Sequence, residues 1–301
     1  AAAAAPPDQR REDQHREDRR AFPETVPLPA GSQPEGITDG PGTTFFAGSR
    51  TDGGIWRGDL RTGRGEVLVP GVPGRVAVGV RYEERAQRLW VAGGATGAVT
   101  AYDARTGAEL GRWVVPGSGF LNDVEVTRDA VYVTDSSADH LVVIPLGRRG
   151  QLPAEAATLP LTGDFDPVPG AFNLNGVRAL PDGALVATQS VTGDLFRIDP
   201  GSGATTRLAV SGVDLAGGDG LVLRGRTLYV VYGFATDEVA VVRLARDLRS
   251  GEVTGRLGDD DLDRPTTGIL AGGSLWLVNG RFSTPATPTT PYDVVRVDLC
   301  R

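Results

Sequence analysis

A short unit of strand and turn residues recurs six times along this 301-residue chain. Each unit begins with a polar or small residue and an aliphatic residue, followed by a turn and then by an apolar run of 4–7 residues. The runs are rich in Val, Leu, Tyr and Trp and are bounded by Gly, Pro and Asp, which favours strands over helices. The leading positions of the units are 35, 78, 122, 175, 219 and 267. Because a four-stranded propeller blade spans ~40–45 residues, this spacing predicts an all-β, six-bladed β-propeller.

The sixth unit has candidate strands at 267–271, 273–279 and 292–299 but no fourth strand before the sequence ends. Residues 23–30, PETVPLPA, precede the first inner strand and could supply the missing one. An open sheet edge is a liability that propellers avoid by closing the ring. We therefore predict that an N-terminal strand closes the last blade.

The first 22 residues have a different composition from the rest. An Ala run is followed by two prolines and by the charged stretch DQRREDQHREDRR, which has no apolar periodicity. Such a segment cannot bury enough surface to order itself, so we predict a disordered charged tail over 1–22 and a propeller over 23–301. The small residues of the Ala run resemble the surroundings of a signal-peptidase site. We expect a secreted or extracytoplasmic protein, with a cytoplasmic location as the alternative.

The charged residues exclude several classes of function. The chain has no Lys, which excludes Schiff-base lysines and the lysine of phosphate-binding loops. A net charge of −7 argues against nucleic-acid binding, and no apolar stretch reaches the ~18 residues of a membrane-spanning helix. We expect a small-molecule substrate, a monomer, and neither a nucleic-acid nor a membrane partner.

Cysteine and histidine are too few for several familiar kinds of site. One cysteine, Cys300, cannot form an internal disulfide, and two histidines, His15 and His140, cannot complete a Cys/His zinc cluster. His140 follows Asp135, Ser136 and Asp139, but we interpret it as a loop histidine because nothing in the strand pattern gives a triad geometry.

The first residues of the six inner strands converge at the axis of a propeller. Here this ring is formed by Glu35, Val78, Asn122, Asn175, Asp219 and Thr267. Two carboxylates and two carboxamides make a hard oxygen site, which suits Ca²⁺ best. Mg²⁺, Mn²⁺ and Zn²⁺ are the alternatives, although zinc has no His or Cys ligand here. A purely structural polar ring remains a second interpretation, since Asn-Gly and Asp-Gly are also common turn dipeptides.

At these residues the sequence resembles the senescence-marker-protein/gluconolactonase (regucalcin-like) family. The resemblance rests on Pro34–Glu35–Gly36, Asn122–Asp123–Val124, Asn175–Gly176–Val177 and Asp219–Gly220–Leu221. It implies a six-bladed propeller with one catalytic divalent metal, usually calcium, and hydrolysis of lactones or related esters. It also implies that Glu35, Asn175 and Asp219 are metal ligands, and that Asn122 is a fourth ligand or a substrate contact.

One position departs from that family. Its sugar-lactone hydrolases tend to carry an Arg two residues before the Asn of the third unit, and this chain has Phe120 there. An apolar ester or lactone is therefore expected rather than a sugar lactone. The candidate substrate-binding residues are Phe120, Phe172, Gln189, Tyr232, Phe234, Asn279, Arg281 and Phe282.

These patterns together predict a calcium-dependent hydrolase of a lactone or related ester, with Asp219 as general base and Asn122 beside the substrate. Two alternatives stay open. The propeller could bind a ligand or a protein without catalysis and use the metal only for structure, or it could catalyse a reaction that is not a hydrolysis.

Overall fold

The computed structural model describes residues 22–233 and 236–299. These residues form 26 strands and two single-turn 3₁₀ helices, Glu84–Ala86 and Arg148–Gly150. No helix among the described residues is long and apolar enough to cross a membrane. The strands form six separate sheets, so the predicted all-β, six-bladed propeller is confirmed.

The described part of the chain starts with β1 (Thr25–Leu28) and then forms three blades of four antiparallel strands. Blade 1 contains β2 (Pro34–Asp39), β3 (Thr44–Ser49), β4 (Ile55–Asp59) and β5 (Gly65–Val69). Blade 2 contains β6 (Val80–Glu83), β7 (Arg88–Ala92), β8 (Ala98–Asp103) and β9 (Glu109–Val114). Blade 3 contains β10 (Leu121–Val126), β11 (Ala130–Asp135), β12 (His140–Pro145) and β13 (Ala157–Pro160).

Blades 4 and 5 each gain a short fifth strand that runs parallel to the outermost one. Blade 4 contains β14 (Thr162–Gly163), β15 (Leu174–Ala179), β16 (Leu185–Gln189), β17 (Leu195–Ile198) and β18 (Ala204–Arg207). Blade 5 contains β19 (Ala209–Ser211), β20 (Leu221–Arg224), β21 (Thr227–Val231), β22 (Glu238–Leu244) and β23 (Ser250–Gly258). Blade 6 contains β24 (Pro265–Ala271), β25 (Ser274–Asn279) and β26 (Tyr292–Asp298).

Strand β1 completes the last blade, as predicted. β1 pairs antiparallel with β26, with Thr25 opposite Val295 and Leu28 opposite Tyr292. Val26 is fully buried in this seam. Phe22, which the sequence analysis assigned to the tail, packs edge-on against Trp276 with ring centroids 5.9 Å apart. Residues 1–21 of the predicted tail lie outside the described residues.

The hydrophobic core lies between the blades. Six apolar clusters fill the six spaces between neighbouring sheets, and their largest fully buried side chains include Trp90, Trp276, Phe45 and Phe196. Burial of this apolar surface, at about 25 cal/mol per Å², is the main force that holds each blade against the next. The arrangement fixes the six inner strands around one axis.

Candidate functional site

Four of the six inner strands bulge at the position that the sequence places in the ring. In blade 1, Pro34 pairs with Ser49 and Ile37 pairs with Ala47. An advance of three residues along β2 therefore matches an advance of only two residues along β3. The same irregularity interrupts β10, β15 and β24. A bulge of this kind leaves one residue outside the ladder and redirects its neighbours. The ring residues of these four strands therefore leave the regular ladder near the axis.

Glycines let neighbouring inner strands come very close at this level. A Cβ on Gly36 would lie 2.2 Å from the carbonyl oxygen of Val78, and one on Gly79 would lie 2.2 Å from that of Asn122. Gly176 donates its N–H to the carbonyl oxygen of Asp219 at 3.0 Å. The Gly that follows the ring residue in several units is thus required by the close packing around the axis.

The pairing corrects one ring position. Pro265 pairs with Asn279 and Gly268 with Leu277, which aligns Thr266, not the predicted Thr267, with Glu35. Thr266 closes the ring by donating its hydroxyl to the carbonyl oxygen of Glu35 at 2.6 Å. The reason for the error is that Gly268 stands one residue later in its unit than Gly36 or Gly176 does, so aligning the glycines misplaces the ring residue of blade 6.

Four of the predicted residues meet at one small axial cavity of about 10 Å³, close to the space that one water molecule needs. Glu35, Asn122, Asn175 and Asp219 all line it, and Val78 and the two threonines of blade 6 complete its wall. Asn122, Asn175 and Asp219 are at most 3 % exposed, whereas Glu35 keeps partial exposure. The structure thus brings together four side chains that are distant in the chain.

The amide of Asn122 is oriented by a hydrogen-bond relay. Ser136 donates its hydroxyl to the carbonyl oxygen of Leu174 at 2.6 Å, so its oxygen can only accept from the amide. Asn122 therefore presents its Nδ2 to Ser136 at 3.0 Å and leaves its carbonyl oxygen Oδ1 for the cavity.

Asn175 is held in the same way one blade later. Ser190 donates its hydroxyl to the carbonyl oxygen of Gly218 at 2.6 Å and accepts from Asn175 Nδ2 at 3.2 Å. Two amide oxygens are in this way made available at the axis by matching seryl groups. Supporting hydrogen bonds of this type usually orient metal ligands in proteins.

The two carboxylates are held in an environment that disfavours their charge. The pKa of Glu35 is raised to about 7, mainly by burial, with Arg50 opposing the rise and Asp123 adding to it. Burial also raises the pKa of Asp219 well above its usual value, followed by the charge of Glu35, while a hydrogen bond from Asn175 lowers it. Asp219 Oδ2 is buried with no hydrogen-bond partner among the described residues. A cation would relieve this repulsion and give that oxygen a partner.

A buried ion pair lies next to the ring. Asp123, the residue after Asn122, accepts from Arg178 Nη1 at 2.7 Å and from the Val177 N–H at 3.1 Å. Because Arg178 neutralises Asp123, the uncompensated negative charge of the axis belongs to Glu35 and Asp219. No cluster of three or more His, Cys, Asp or Glu side chains suited to a metal is found among the described residues. Any cation at the axis must therefore use the amide oxygens as well.

Two predicted aromatic residues form a pair near the cavity. The rings of Phe120 and Phe172 meet edge to face with centroids 5.1 Å apart, and Phe172 is 46 % exposed. Phe120 also lies beside Val78 of the ring, since a Cβ on Gly94 would be 3.0 Å from Val78 and 3.4 Å from the Phe120 ring. This pair gives one side of the mouth an apolar surface.

Three predicted polar residues form hydrogen bonds or ion pairs with neighbouring loops. Gln189 Nε2 donates to the Asp166 carbonyl oxygen and to Asn173 Oδ1. Asn279 Nδ2 donates to the Asp261 carbonyl oxygen and to Asp293 Oδ1, and its Oδ1 accepts from the Asp263 N–H. Arg281 forms ion pairs with Asp263 and Asp293 at 3.0 and 2.9 Å. In the structure these residues anchor the loops of the mouth.

The remaining aromatic candidates have different surroundings. Tyr232 is 3 % exposed between blades 4 and 5, and its hydroxyl donates to the Asp214 carbonyl oxygen at 3.0 Å. Phe282 lies under the guanidinium of Arg50, 4.7 Å from its ring centroid. Phe234 lies outside the described residues.

A larger cleft of about 400 Å³ lies between blade 1 and the seam with blade 6. Its wall includes Leu28, Ile55, Trp56 and Val67, and its Asp52 already accepts from Ser49 Oγ at 2.7 Å. This cleft is larger than the axial cavity but contains none of the four convergent oxygen donors. The convergent oxygen donors are therefore at the axis and not in this cleft.

Sequence reasoning missed Arg50 and the orienting role of Ser136 and Ser190. A signal for the serines is present, because each directly follows the second strand of its blade, as Asp135–Ser136 and Gln189–Ser190. Aligning the units at their second strands, and not only at their first, would have found all three positions.

Comparisons with known proteins show the fold and nothing finer. No protein-family model matches the chain, and no curated protein matches it significantly. Among solved structures, the major allergen Mala s 1 of Malassezia sympodialis matches with a TM-score of 0.71 and 13 % identity, over 93 % of this chain and 97 % of that one. A streptogramin B lyase matches with a TM-score of 0.63 and 13 % identity, over 91 % and 97 % of the two chains. Virginiamycin B lyase from Staphylococcus aureus matches with a TM-score of 0.62 and 12 % identity, over 91 % and 99 %.

Proposed function

We propose that this propeller is a calcium-dependent hydrolase of a lactone or related ester with an apolar body. The observation that carries the proposal is the axial cavity, where two carboxylates meet two amide oxygens that serine relays have oriented. The resemblance of the four ring motifs to gluconolactonase-like sequences points to the same chemistry.

The donor set fits calcium. Glu35, Asn122, Asn175 and Asp219 would hold the ion, since hard oxygen donors with a total charge of −2 match its preference and water can fill the remaining positions. The buried, unpartnered Oδ2 of Asp219 supports this assignment. Mg²⁺ and Mn²⁺ use the same kind of donors and remain alternatives. When bound, such an ion polarises a carbonyl oxygen and lowers the pKa of a water molecule.

The chain itself supplies binding and proton transfer. Phe120 and Phe172 contact the apolar part of the substrate and exclude water from one side of the mouth. Asp219 accepts the proton of the attacking water, since its carboxylate lines the cavity beside the place where that water would lie. Ser136 keeps the Asn122 oxygen directed at the ion or at the substrate beside it.

A substrate panel tests the proposal. Aryl and alkyl esters and lactones are assayed with protein stripped by chelator and then with calcium restored. We expect turnover of apolar members only after calcium is added. Absence of turnover across the panel, with calcium bound at the axis, would favour the alternative of a ligand-binding propeller with a structural metal.

A second candidate is an elimination at the same site. It is favoured by the two solved structures of similar fold that are named as lyases. Turnover in ¹⁸O-labelled water separates the two reactions. Hydrolysis incorporates the label into the product acid, whereas elimination leaves the product unlabelled and creates a double bond.

Replacing Ser136 by Ala should weaken calcium binding by about 10- to 100-fold, the usual cost of losing a group that orients a metal ligand. The Asn122 amide would then be free to turn its nitrogen towards the axis. Titration calorimetry measures the affinity. The matched control is Thr134→Val, since Thr134 donates a similar hydrogen bond to the ring, to the Asn175 carbonyl oxygen at 2.7 Å, but holds no Asn side chain. Equal affinities for Ser136→Ala and wild type would show that the relay has no role.

A further inference from the structure

Arg50 stands in blade 1 where a serine stands in blades 3 and 4. It directly follows β3, as Ser136 follows β11 and Ser190 follows β16. Those serines hold the Asn residues of the ring, but Arg50 is a half-buried cation next to Glu35. Blade 1 therefore carries a charged side chain at a position where two other blades carry orienting hydroxyls.

The guanidinium of Arg50 is held in place from two sides. Its Nε donates to the carbonyl oxygen of Gln33 at 3.1 Å, two residues before Glu35. Its carbon Cζ lies over the ring of Phe282, 4.7 Å from the centroid, a distance typical of a cation–π contact. A Cβ on Gly280 would lie 2.6 Å from Thr266 Cγ2 and 3.3 Å from Phe282 Cζ. These contacts place the Arg50–Phe282 pair beside the ring, on the side of blades 1 and 6.

The terminal nitrogens of this guanidinium are unused. Within 22–233 and 236–299, neither Nη atom of Arg50 has a hydrogen-bond or ion-pair partner. Its charge nevertheless lowers the pKa values of Glu35 and Asp219, which places it close enough to act on both carboxylates. Since it pairs with neither of them, its two donor groups remain for an acceptor that is not part of the chain.

The charge of the occupied site indicates what that acceptor is. A divalent cation would balance Glu35 and Asp219, and Arg178 already balances Asp123. Arg50 would then leave the mouth with one positive charge. A guanidinium presents a planar pair of donors that matches a carboxylate, and the Phe120–Phe172 pair offers an apolar surface on the other side of the axis.

We propose that Arg50 binds a free carboxylate of the substrate, so that the substrate is an apolar ester or lactone that also carries an acid group. This inference rests on the proposed function in that it takes the axis as the ligand site. It narrows the substrate class to molecules such as monoesters of apolar dicarboxylic acids.

Binding of a non-reactive probe tests the inference without requiring turnover. The probe is 4-phenylbutyrate, its neutral match is 4-phenylbutyramide, and both are titrated into the calcium-loaded protein. Wild type should bind the carboxylate about 10- to 100-fold more tightly than the amide, in line with a charge-assisted pair. At saturating calcium, Arg50→Gln should lose most of this preference, and Arg50→Lys should keep part of it.

The control is Arg61→Gln. Arg61 also lies over a phenylalanine, 5.1 Å from the Phe22 ring centroid, but in the turn between β4 and β5, away from the ring. It should leave the preference unchanged. The inference would be overturned if Arg50→Gln still preferred the carboxylate over the amide as wild type does. It would also be overturned if Arg50→Gln lost calcium affinity and nothing else. Carboxylate binding through Arg50 with no turnover of any ester would instead contradict the proposed hydrolase and leave the inference standing.

Discussion

Asp219→Asn and Glu35→Gln should each abolish calcium-dependent turnover, by about 10³-fold or more, and leave the propeller folded. Each substitution removes half of the negative charge at the axis, and Asp219→Asn also removes the proposed proton acceptor. In chelated protein the effect on stability should have the opposite sign. Burial penalises both carboxylates when they are charged, so neutral amides should raise the melting temperature of the metal-free protein.

Titration calorimetry measures calcium affinity, melting curves measure stability, and the ester assay measures turnover, all on the same samples. Asp260→Asn is the control because Asp260 is an exposed residue of the loop before blade 6. It should change neither calcium affinity nor turnover. If Asp219→Asn kept its activity, or if both chelated variants melted below wild type, the assignment of the carboxylates would be contradicted.

The stability of metal-free protein should fall as pH rises through the neutral range. In the unfolded chain Glu35 and Asp219 titrate near 4.5 and 3.8, whereas in the folded protein the pKa of Glu35 is about 7 and that of Asp219 is also raised. At a pH between the unfolded and the folded pKa of each group, the folded state holds a proton that the unfolded state has released. Each such proton lowers the free energy of unfolding by about 1.4 kcal/mol per pH unit. The loss runs from about pH 4.5 to 7 for Glu35, and the raised pKa of Asp219 adds a loss that begins near pH 3.8.

Calcium binding should show the reverse dependence, because the ion displaces these protons. Its affinity should rise over the same range by up to about tenfold per pH unit for each proton displaced. Chemical unfolding of chelated protein between pH 5 and 8 provides the stability, and the Glu35→Gln/Asp219→Asn variant provides the reference that removes both groups. If the difference in free energy of unfolding between wild type and this variant did not change with pH, the claim that these carboxyls are protonated in the folded protein would be contradicted.

The fold could be predicted from sequence because it repeats. Six units with the same strand and turn pattern indicate six blades, and the missing strand of the last unit indicates the role of β1. The fifth strands β14 and β19 were not predicted, since two or three residues paired in parallel carry no periodic signal. The placement of Thr266 was missed because Gly268 lies two residues after it, whereas Gly36 and Gly176 directly follow their ring residues.

The candidate site could be predicted only in part. Glu35, Asn122, Asn175 and Asp219 share one position in their units, so their convergence follows from the fold. What the sequence did not reveal is how they are supported. Ser136 and Ser190 act through hydrogen bonds between blades, and Arg50 acts through a contact with Phe282, which is 232 residues away. Such contacts depend on the closed ring and have no local pattern.

The most direct test of the account is anomalous X-ray diffraction from crystals grown with Mn²⁺ as a substitute for Ca²⁺. We expect one strong peak at the axis, with side-chain oxygens of Glu35, Asn122, Asn175 and Asp219 within coordination distance of about 2.6 Å. A map with no peak among these four residues, or with the ion bound elsewhere on the propeller, would contradict the central claim.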